Sequence, residues 1–439
     1  MRLTLTALLA VMMIGVGVPA FAELTNVEVG GSIRIRGQYF TPAASIITAD
    51  PDDNNGEAYV EQRTTVNVKA DFTDDVTAFI EMDAQNNWGD DFRENINTGQ
   101  TTSPGGTEVR MYQSYIEMRE AWGYPITVRI GRGEILLGSE WLFGNNDTAG
   151  AFTGLYHDGV VITYATDNFS LKAIWSKLSE MGAFEEDGDV DLYILYGSYT
   201  GIEDLTIDGY VSLVRSAAGP AQGNEETVEL TTVGARVAGE RGAFDFEGEV
   251  AYQTGQAMVA IGFVYASGGP TASDFDYDAL GVNAEVGFTM DNDYQIRFFL
   301  GAAFFEGTDD EDIGFNRLLS DWEYSEFIAN TDMSNVLIIR AGISAQLTEK
   351  IGVLGVVTYF EEDEETPTVG GDDEIGMELG LYLTYDYSED LYFEFGYAHF
   401  FTDDGLEDGS LINGNGTSSI GGMDDEDADY FYVETGISF

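Results

Sequence analysis

The stretch "VEVGGSIRIRGQYF", residues 27–40, decides the fold. Val27, Val29, Ile33, Ile35 and Tyr39 fall on one face of an extended chain; Glu28, Ser32, Arg34, Arg36 and Gln38 fall on the other. Side chains alternate across a strand, so this segment reads as a strand between an apolar and a wet environment. The same alternation recurs in "RTTVNVKADF", "VTAFIEMDA", "VDLYILYGSY", "FDFEGEVAYQ" and "IGMELGLYLTY". It closes the chain in "ADYFYVETGISF", residues 428–439, where Phe431, Val433, Thr435, Ile437 and Phe439 oppose Tyr430, Tyr432 and Glu434.

The connectors alternate as well. Residues 73–75, 201–204, 240–243, 290–293, 348–350 and 387–390 read as tight turns. Between them lie long loops at 41–57, 87–107, 133–157, 179–189, 216–226, 306–334, 361–374 and 402–428. Strands of roughly 9–11 residues, with short turns at one end and long loops at the other, are the pattern of an antiparallel up-and-down transmembrane β-barrel. Nineteen candidate strands can be marked, but two termini on one side demand an even number. The apolar stretch at 258–268 has no place in the count and is expected in an external loop, folded inward. Eighteen strands remain, with 16 as the runner-up if 108–135 is read differently. Phe40, Phe72, Trp88, Trp122, Tyr124, Trp141, Tyr164, Trp175, Tyr199, Tyr294, Tyr387 and Phe400 stand near strand ends and suit two interfacial girdles.

Residues 1–22 carry a basic start, a short apolar run and an Ala-Phe-Ala site, which predicts a secretory signal peptide ahead of a barrel spanning 23–439. Secretion followed by barrel insertion places the protein in the outer membrane of a Gram-negative bacterium. No cysteine and only His157 and His399 are present, which excludes disulfides and thiolate chemistry and leaves too few ligands for a histidine-rich metal centre. No nucleophile elbow, phosphate loop or zinc motif occurs, so no enzyme is expected.

The formal charge is −59, and more than half of the 78 acidic residues lie in the long loops, where Arg93 and Arg317 are the clear cations. That charge sets nucleic acid aside as a partner. It reads either as a solvated exterior or as a vestibule that attracts cations and repels anions. The wet strand face must be the lumen, since a charge facing lipid costs about 2–4 kcal/mol at mid-depth for a cation. The expected pore-lining residues are Arg34, Arg36, Arg63, Lys69, Arg129, Arg236, Arg297, Arg340, Glu81, Asp83, Glu247 and Glu249. Arg34, Arg36, Arg63 and Arg129 could form a basic ladder on one wall, either setting selectivity or bracing lumen carboxylates. Asp50, Asp52, Asn54 and Glu61 stand at EF-hand offsets and are the candidate calcium ligands at the acidic loops. No other cofactor is expected.

A family resemblance is carried by residues 128–164, "VRIGRGEILLGSEWLFGNNDTAGAFTGLYHDGVVITY", with Gly131-Arg132 and Asp158-Gly159 as its matching pairs. Residues 249–255 and 375–401 add to it. The sequence resembles the alginate-export porin family, although Gly133 and His157 stand where that family has Gln and an aromatic residue. The resemblance implies a monomeric 18-stranded barrel and a polysaccharide-export role, which a very acidic mouth would oppose by repelling a polyanion. The expectation from the residues themselves is a passive porin for small hydrophilic solutes or ions, cation-preferring, with loops 133–157 and 256–276 folded into the lumen. A structural, calcium-linked surface barrel is a third reading. The expected surroundings are outer-membrane lipid and lipopolysaccharide. The final strand, ending on Phe439, resembles the signal that the outer-membrane assembly machinery recognises.

Overall fold

A computed structural model describes residues 25–41, 56–89, 108–145, 147, 154–180, 189–216, 228–256, 276–307, 312–328, 334–363, 373–403, 411–412, 419–420 and 427–439. Eighteen long strands form the wall. They are β1 (Asn26–Thr41), β2 (Glu57–Thr73), β3 (Val76–Asn87), β4 (Val109–Met118), β5 (Ile126–Gly133) and β6 (His157–Ala165). Next come β7 (Phe169–Ser179), β8 (Val190–Ile202), β9 (Leu205–Ser216), β10 (Val228–Arg241), β11 (Phe244–Gln256) and β12 (Asp276–Thr289). The last are β13 (Arg297–Phe305), β14 (Val336–Thr348), β15 (Ile351–Glu362), β16 (Glu374–Asp386), β17 (Leu391–Thr402) and β18 (Ala428–Ser438).

Each strand pairs antiparallel with its neighbours in sequence, and β18 pairs with β1. Ser32 stands opposite Ser438 and Thr41 opposite Asp429, so the ladder closes and leaves no free edge. A closed ladder satisfies the strand backbones internally, which is what lets a sheet stand in hydrocarbon. The 16-strand alternative is thereby set aside. A bulge interrupts the pairing of β3 with β4: the register shifts between Glu81 and Met82, and Tyr112 and Gln113 both serve the inner side.

The two faces follow the sequence alternation. Ile130, Ile162, Leu195, Val233, Leu300 and Phe431 are exposed on the outside, while Tyr430, Tyr432 and Glu434 of β18 are buried inside. The apolar outer belt is bounded on the turn side by Tyr199, Tyr294 and Tyr387, all exposed. Three of the expected girdle aromatics do not belong to it. Trp141 and Phe400 are fully buried, and Phe40 stacks on Tyr430 with ring centroids 4.4 Å apart. These three face a core inside the barrel.

Candidate functional site

Two loop segments fill the lumen, 134–145 after β5 and 314–328 between β13 and β14. The first carries Ile135, Leu137, Trp141, Leu142 and Phe143 in five buried positions. The second carries Phe315, Leu319, Tyr324, Phe327 and Ile328, also buried. An aromatic side chain left in water forgoes about 1.5–3 kcal/mol of burial, and the barrel interior is where these loops can recover it. The inward folding of loop 133–157 holds for its described part. Loop 306–334, an external loop by its sequence, has its described part inside, because its apolar residues match the interior wall. The other loop expected to fold inward, 256–276, lies outside the described residues except for its ends.

The segments are stitched to each other. Leu319 N donates to Leu142 O at 3.0 Å, Gly144 N to Leu319 O at 2.8 Å and Asp321 N to Glu140 O at 2.9 Å. Phe143 and Leu319 form a parallel bridge. Trp141 stacks on Phe305 at 5.8 Å and donates through Nε1 to the Tyr324 hydroxyl at 3.1 Å, which in turn donates to Asn283 Oδ1 at 2.9 Å. The wall then holds the second segment at two points. Gln253 exchanges two 2.7 Å hydrogen bonds with the Asn316 backbone. Glu378 accepts from Ser325 Oγ at 2.5 Å and from Glu326 N at 3.2 Å.

Arg317, expected as an external cation, is buried in this plug. Its guanidinium lies 4.7 Å from the Phe305 ring and 5.1 Å from that of Tyr324, and it donates to Ser320 Oγ and Trp322 O. Burial lowers its pKa to about 10, with the Tyr324 hydroxyl opposing. Two plug carboxyls move the other way. Burial, then Glu140, Glu323 and Asp147, push Asp321 up to about 7. Burial and Glu323 push Glu326 up to about 7, against a hydrogen bond from Tyr382. Sequence reading missed Asp321, Tyr324 and Glu326 as lumen residues. The signal was present: apolar residues Leu318, Leu319 and Trp322 interrupt a loop otherwise rich in acid.

Space remains on either side of the plug. A cavity of about 230 Å³ against β1 to β4 is lined by Arg34, Arg63, Glu81, Tyr112, Glu134 and Asp147, among others. A larger one, about 620 Å³, lies between the plug and β13 to β18, where Arg297, Glu326, Arg340, Glu378, Tyr382 and Glu394 face it.

The structure places the expected pore-lining residues as follows. Arg34 and Arg63 stand opposite each other on β1 and β2 and share Asp147, at 3.2 and 2.5 Å. Arg63 also reaches Asp83 at 3.5 Å, and Arg36 holds Glu434 at 2.8 Å. These three arginines are therefore braced by carboxylates. Arg129 is apart from them, donating to Glu134 O and lying 5.2 Å from the Tyr115 ring. Lys69 stands towards the tight turns with Glu28 and Asp71. Arg236 bridges Asp208 and Glu247 at 2.8 Å each, and Arg297 bridges Asp245 and Glu285. Arg340 makes no ion pair among the described residues and lies 5.7 Å from the Tyr324 ring. Several acids are held by neutral donors: Glu81 by Gln113, Glu249 by Tyr210, Glu326 by Tyr382 and Glu394 by Tyr432.

Of the candidate calcium loop, Asp50, Asp52 and Asn54 lie outside the described residues. Glu61 sits on β2 opposite Arg36, inside the wall. Among the described residues no group of three or more acidic or histidine side chains could hold a metal ion.

The motif pairs meet across β5 and β6. Arg132 Nε and Nη2 donate to the two carboxylate oxygens of Asp158, both at 2.8 Å, and Gly131 faces Gly159 in the ladder. A Cβ on Gly131 would meet the Ser114 carbonyl, and one on Gly159 the Trp175 carbonyl.

The closed barrel has solved counterparts. Pseudomonas aeruginosa OccK8 (OprE) matches with a TM-score of 0.58 at 13% identity, over 94% of this chain and 98% of that one. Acinetobacter baumannii OccAB1 matches at 0.58 and 12%, over 96% and 99%. Pseudomonas aeruginosa OccD3 (OpdP) matches at 0.57 and 13%, over 95% and 93%. At these identities the likeness is one of fold. No curated protein sequence matches the chain. A family model, alginate export, matches residues 25–410. With that match over most of its length, the chain belongs to the alginate-export family of outer-membrane β-barrels.

Proposed function

We propose that this protein is an outer-membrane porin through which small hydrophilic solutes or ions diffuse passively, with a preference for cations. The observation that carries the reading is a lumen narrowed by two inserted loops and left with surplus acid. Most lumen arginines are cancelled by carboxylates, whereas Glu249, Glu326 and Glu394 are held by phenols that bring no positive charge. Uncancelled carboxylates in a narrow, low-dielectric passage favour cations. The pore-lining set is Arg34, Arg63, Arg297, Arg340, Glu81 and Glu326, with Asp321 and Glu140 at the junction of the loops. Nothing in this reading requires chemistry.

Planar-bilayer recording of the refolded protein tests it. A reversal potential on the cation side in a salt gradient is expected; one on the chloride side would sink the preference, and no conductance would sink the porin. Family membership favours a second reading, export of an anionic polyuronate. That reading requires anion preference and block by oligouronates in the same recording.

A further inference from the structure

One arginine of the lumen stands outside its web of carboxylates. Arg34, Arg36, Arg63, Arg236 and Arg297 each hold an acid, and Arg129 donates to a backbone carbonyl. Arg340 on β14 makes no hydrogen bond or ion pair among the described residues, and its Nε is buried. Its guanidinium lies 5.7 Å from the ring of Tyr324, on the plug, and 6.0 Å from that of Phe299, on β13. Two rings thus hold it in position without using its donors, and the side chain faces the cavity of about 620 Å³. The N–H donors of its Nη groups remain for whatever enters that space.

The same cavity holds acids that Arg340 does not meet. Arg340 pairs with Thr358 on β15, and Thr358 with Glu378 on β16. Neighbouring strands lie about 4.8 Å apart, so the backbones of Arg340 and Glu378 are roughly 10 Å apart. The plug keeps that gap open. Glu378 is taken up by Ser325 Oγ and Glu326 N, at 2.5 and 3.2 Å. Glu326, beside it, accepts from the Tyr382 hydroxyl at 2.8 Å and has no cationic partner among the described residues. Opposite charges that share one low-dielectric cavity gain by meeting, yet each of these is fixed where it stands.

We infer that the cavity is a binding site for small zwitterions, solutes that carry one carboxylate and one ammonium as amino acids do. The Nη donors of Arg340 take the carboxylate in two-point contact, and the Glu326 carboxylate takes the ammonium. Neither half of such a solute suffices: an anion leaves Glu326 without a counter-charge, and an amine leaves Arg340 without one. The wall groups are held in place before binding, so little ordering is lost when the solute enters. An arginine kept only to brace the wall would be expected to hold a carboxylate, as its counterparts in this lumen do. The inference rests on the porin reading only in that solutes must reach the cavity, and not on the preference for cations.

The test is isothermal titration of the refolded full-length protein in detergent with three solutes. They are glutamine, glutaramate (glutamine without its ammonium) and 4-aminobutanamide (glutamine without its carboxylate). Glutamine should bind about tenfold or more tighter than either of the others. In Arg340→Gln, glutamine should weaken about tenfold or more, while 4-aminobutanamide binds at least as well as it does to the wild type. In Glu326→Gln, glutamine should weaken likewise, while glutaramate binds at least as well as to the wild type. A role confined to packing of the plug would weaken all three solutes alike, and that result overturns the inference. So does either half binding as tightly as glutamine, or the absence of saturable glutamine binding. Should the variants fail to fold, the three wild-type affinities alone decide. Conductance in planar bilayers is read separately: its absence sinks the porin and leaves a measured affinity standing, whereas conductance without glutamine binding sinks only the site.

Discussion

Arg36 and Glu434 meet across the seam where the first strand joins the last. They are Cα partners 398 residues apart, with Nε and Nη2 both 2.8 Å from one carboxylate oxygen. Both are buried, and the Tyr392 hydroxyl adds a 2.7 Å bond to the second oxygen. Breaking a buried pair by removing one partner leaves an uncompensated charge and typically costs about 3–5 kcal/mol. Glu434→Leu alone should lower the urea midpoint of the refolded barrel, read by its heat-dependent gel shift. The double variant Arg36→Met, Glu434→Leu should recover much of that loss. A single variant as stable as wild type would show that the pair does not hold the seam.

Trp141 anchors loop 134–145 against Phe305, Phe315 and Tyr324. Trp141→Ala removes about 3–5 kcal/mol of packing from the plug, and none of the wall hydrogen bonds. Single-channel conductance should rise while the thermal transition of the barrel shifts little. Conductance at the wild-type level would mean that the loop does not limit the passage.

The plug should respond to pH. Asp321 and Glu326 have values raised to about 7, well above those of free carboxyls. The plugged state therefore binds more protons than a released one. Its stability is full below the ordinary carboxyl range and is lost as pH rises through about 7. Between pH 5 and pH 8 the channel should become noisier, more conductive and more cation-selective. Asp321→Asn should flatten part of that dependence; an unaltered pH profile in this variant would count against the assignment.

Gly131 has φ of 133° and Gly159 lies against a neighbouring carbonyl. Alanine at either should strain the β5–β6 hairpin, by about 1–3 kcal/mol at Gly131. The folded fraction on refolding into detergent should drop for both, whereas Gly209→Ala, with open space around it, should refold normally. Equal yields for all three would contradict the steric account.

The wall was readable because its code is local. In β1 and β18 every second residue declares its face, and the tight turns at 73–75 and 240–243 fix the direction of travel. The family motif was visible too, but its chemistry was not. Arg132 and Asp158 are 26 residues apart, and only strand register brings them together. The plug was less legible because loops have no period. Phe315, Tyr324 and Phe327 look like scattered aromatics in an acidic stretch until the interior supplies partners. Arg317 misled for the same reason: a loop arginine carries no mark that distinguishes solvent from an aromatic cage. Of the four arginines read as a basic ladder, Arg34, Arg36 and Arg63 lie together and Arg129 stands apart; the acid that joins two of them, Asp147, comes from a loop and could not be placed.

The stitching of Trp141 to Tyr324 has a consequence for the order of biogenesis. The two residues are 183 positions apart, on segments that follow β5 and β13. Contacts across so long a separation form after the nearest-neighbour hairpins. The two segments can therefore dock on each other only when the strands that carry them have been brought to the same interior, so docking is expected to follow strand pairing. A protease site placed at 139–140 should remain cleavable during refolding after β5 and β6 have become protected. A barrel whose segments have not yet docked would offer a wider bore than the finished one, so the rate of docking, and not only of insertion, would set how long the passage stands open.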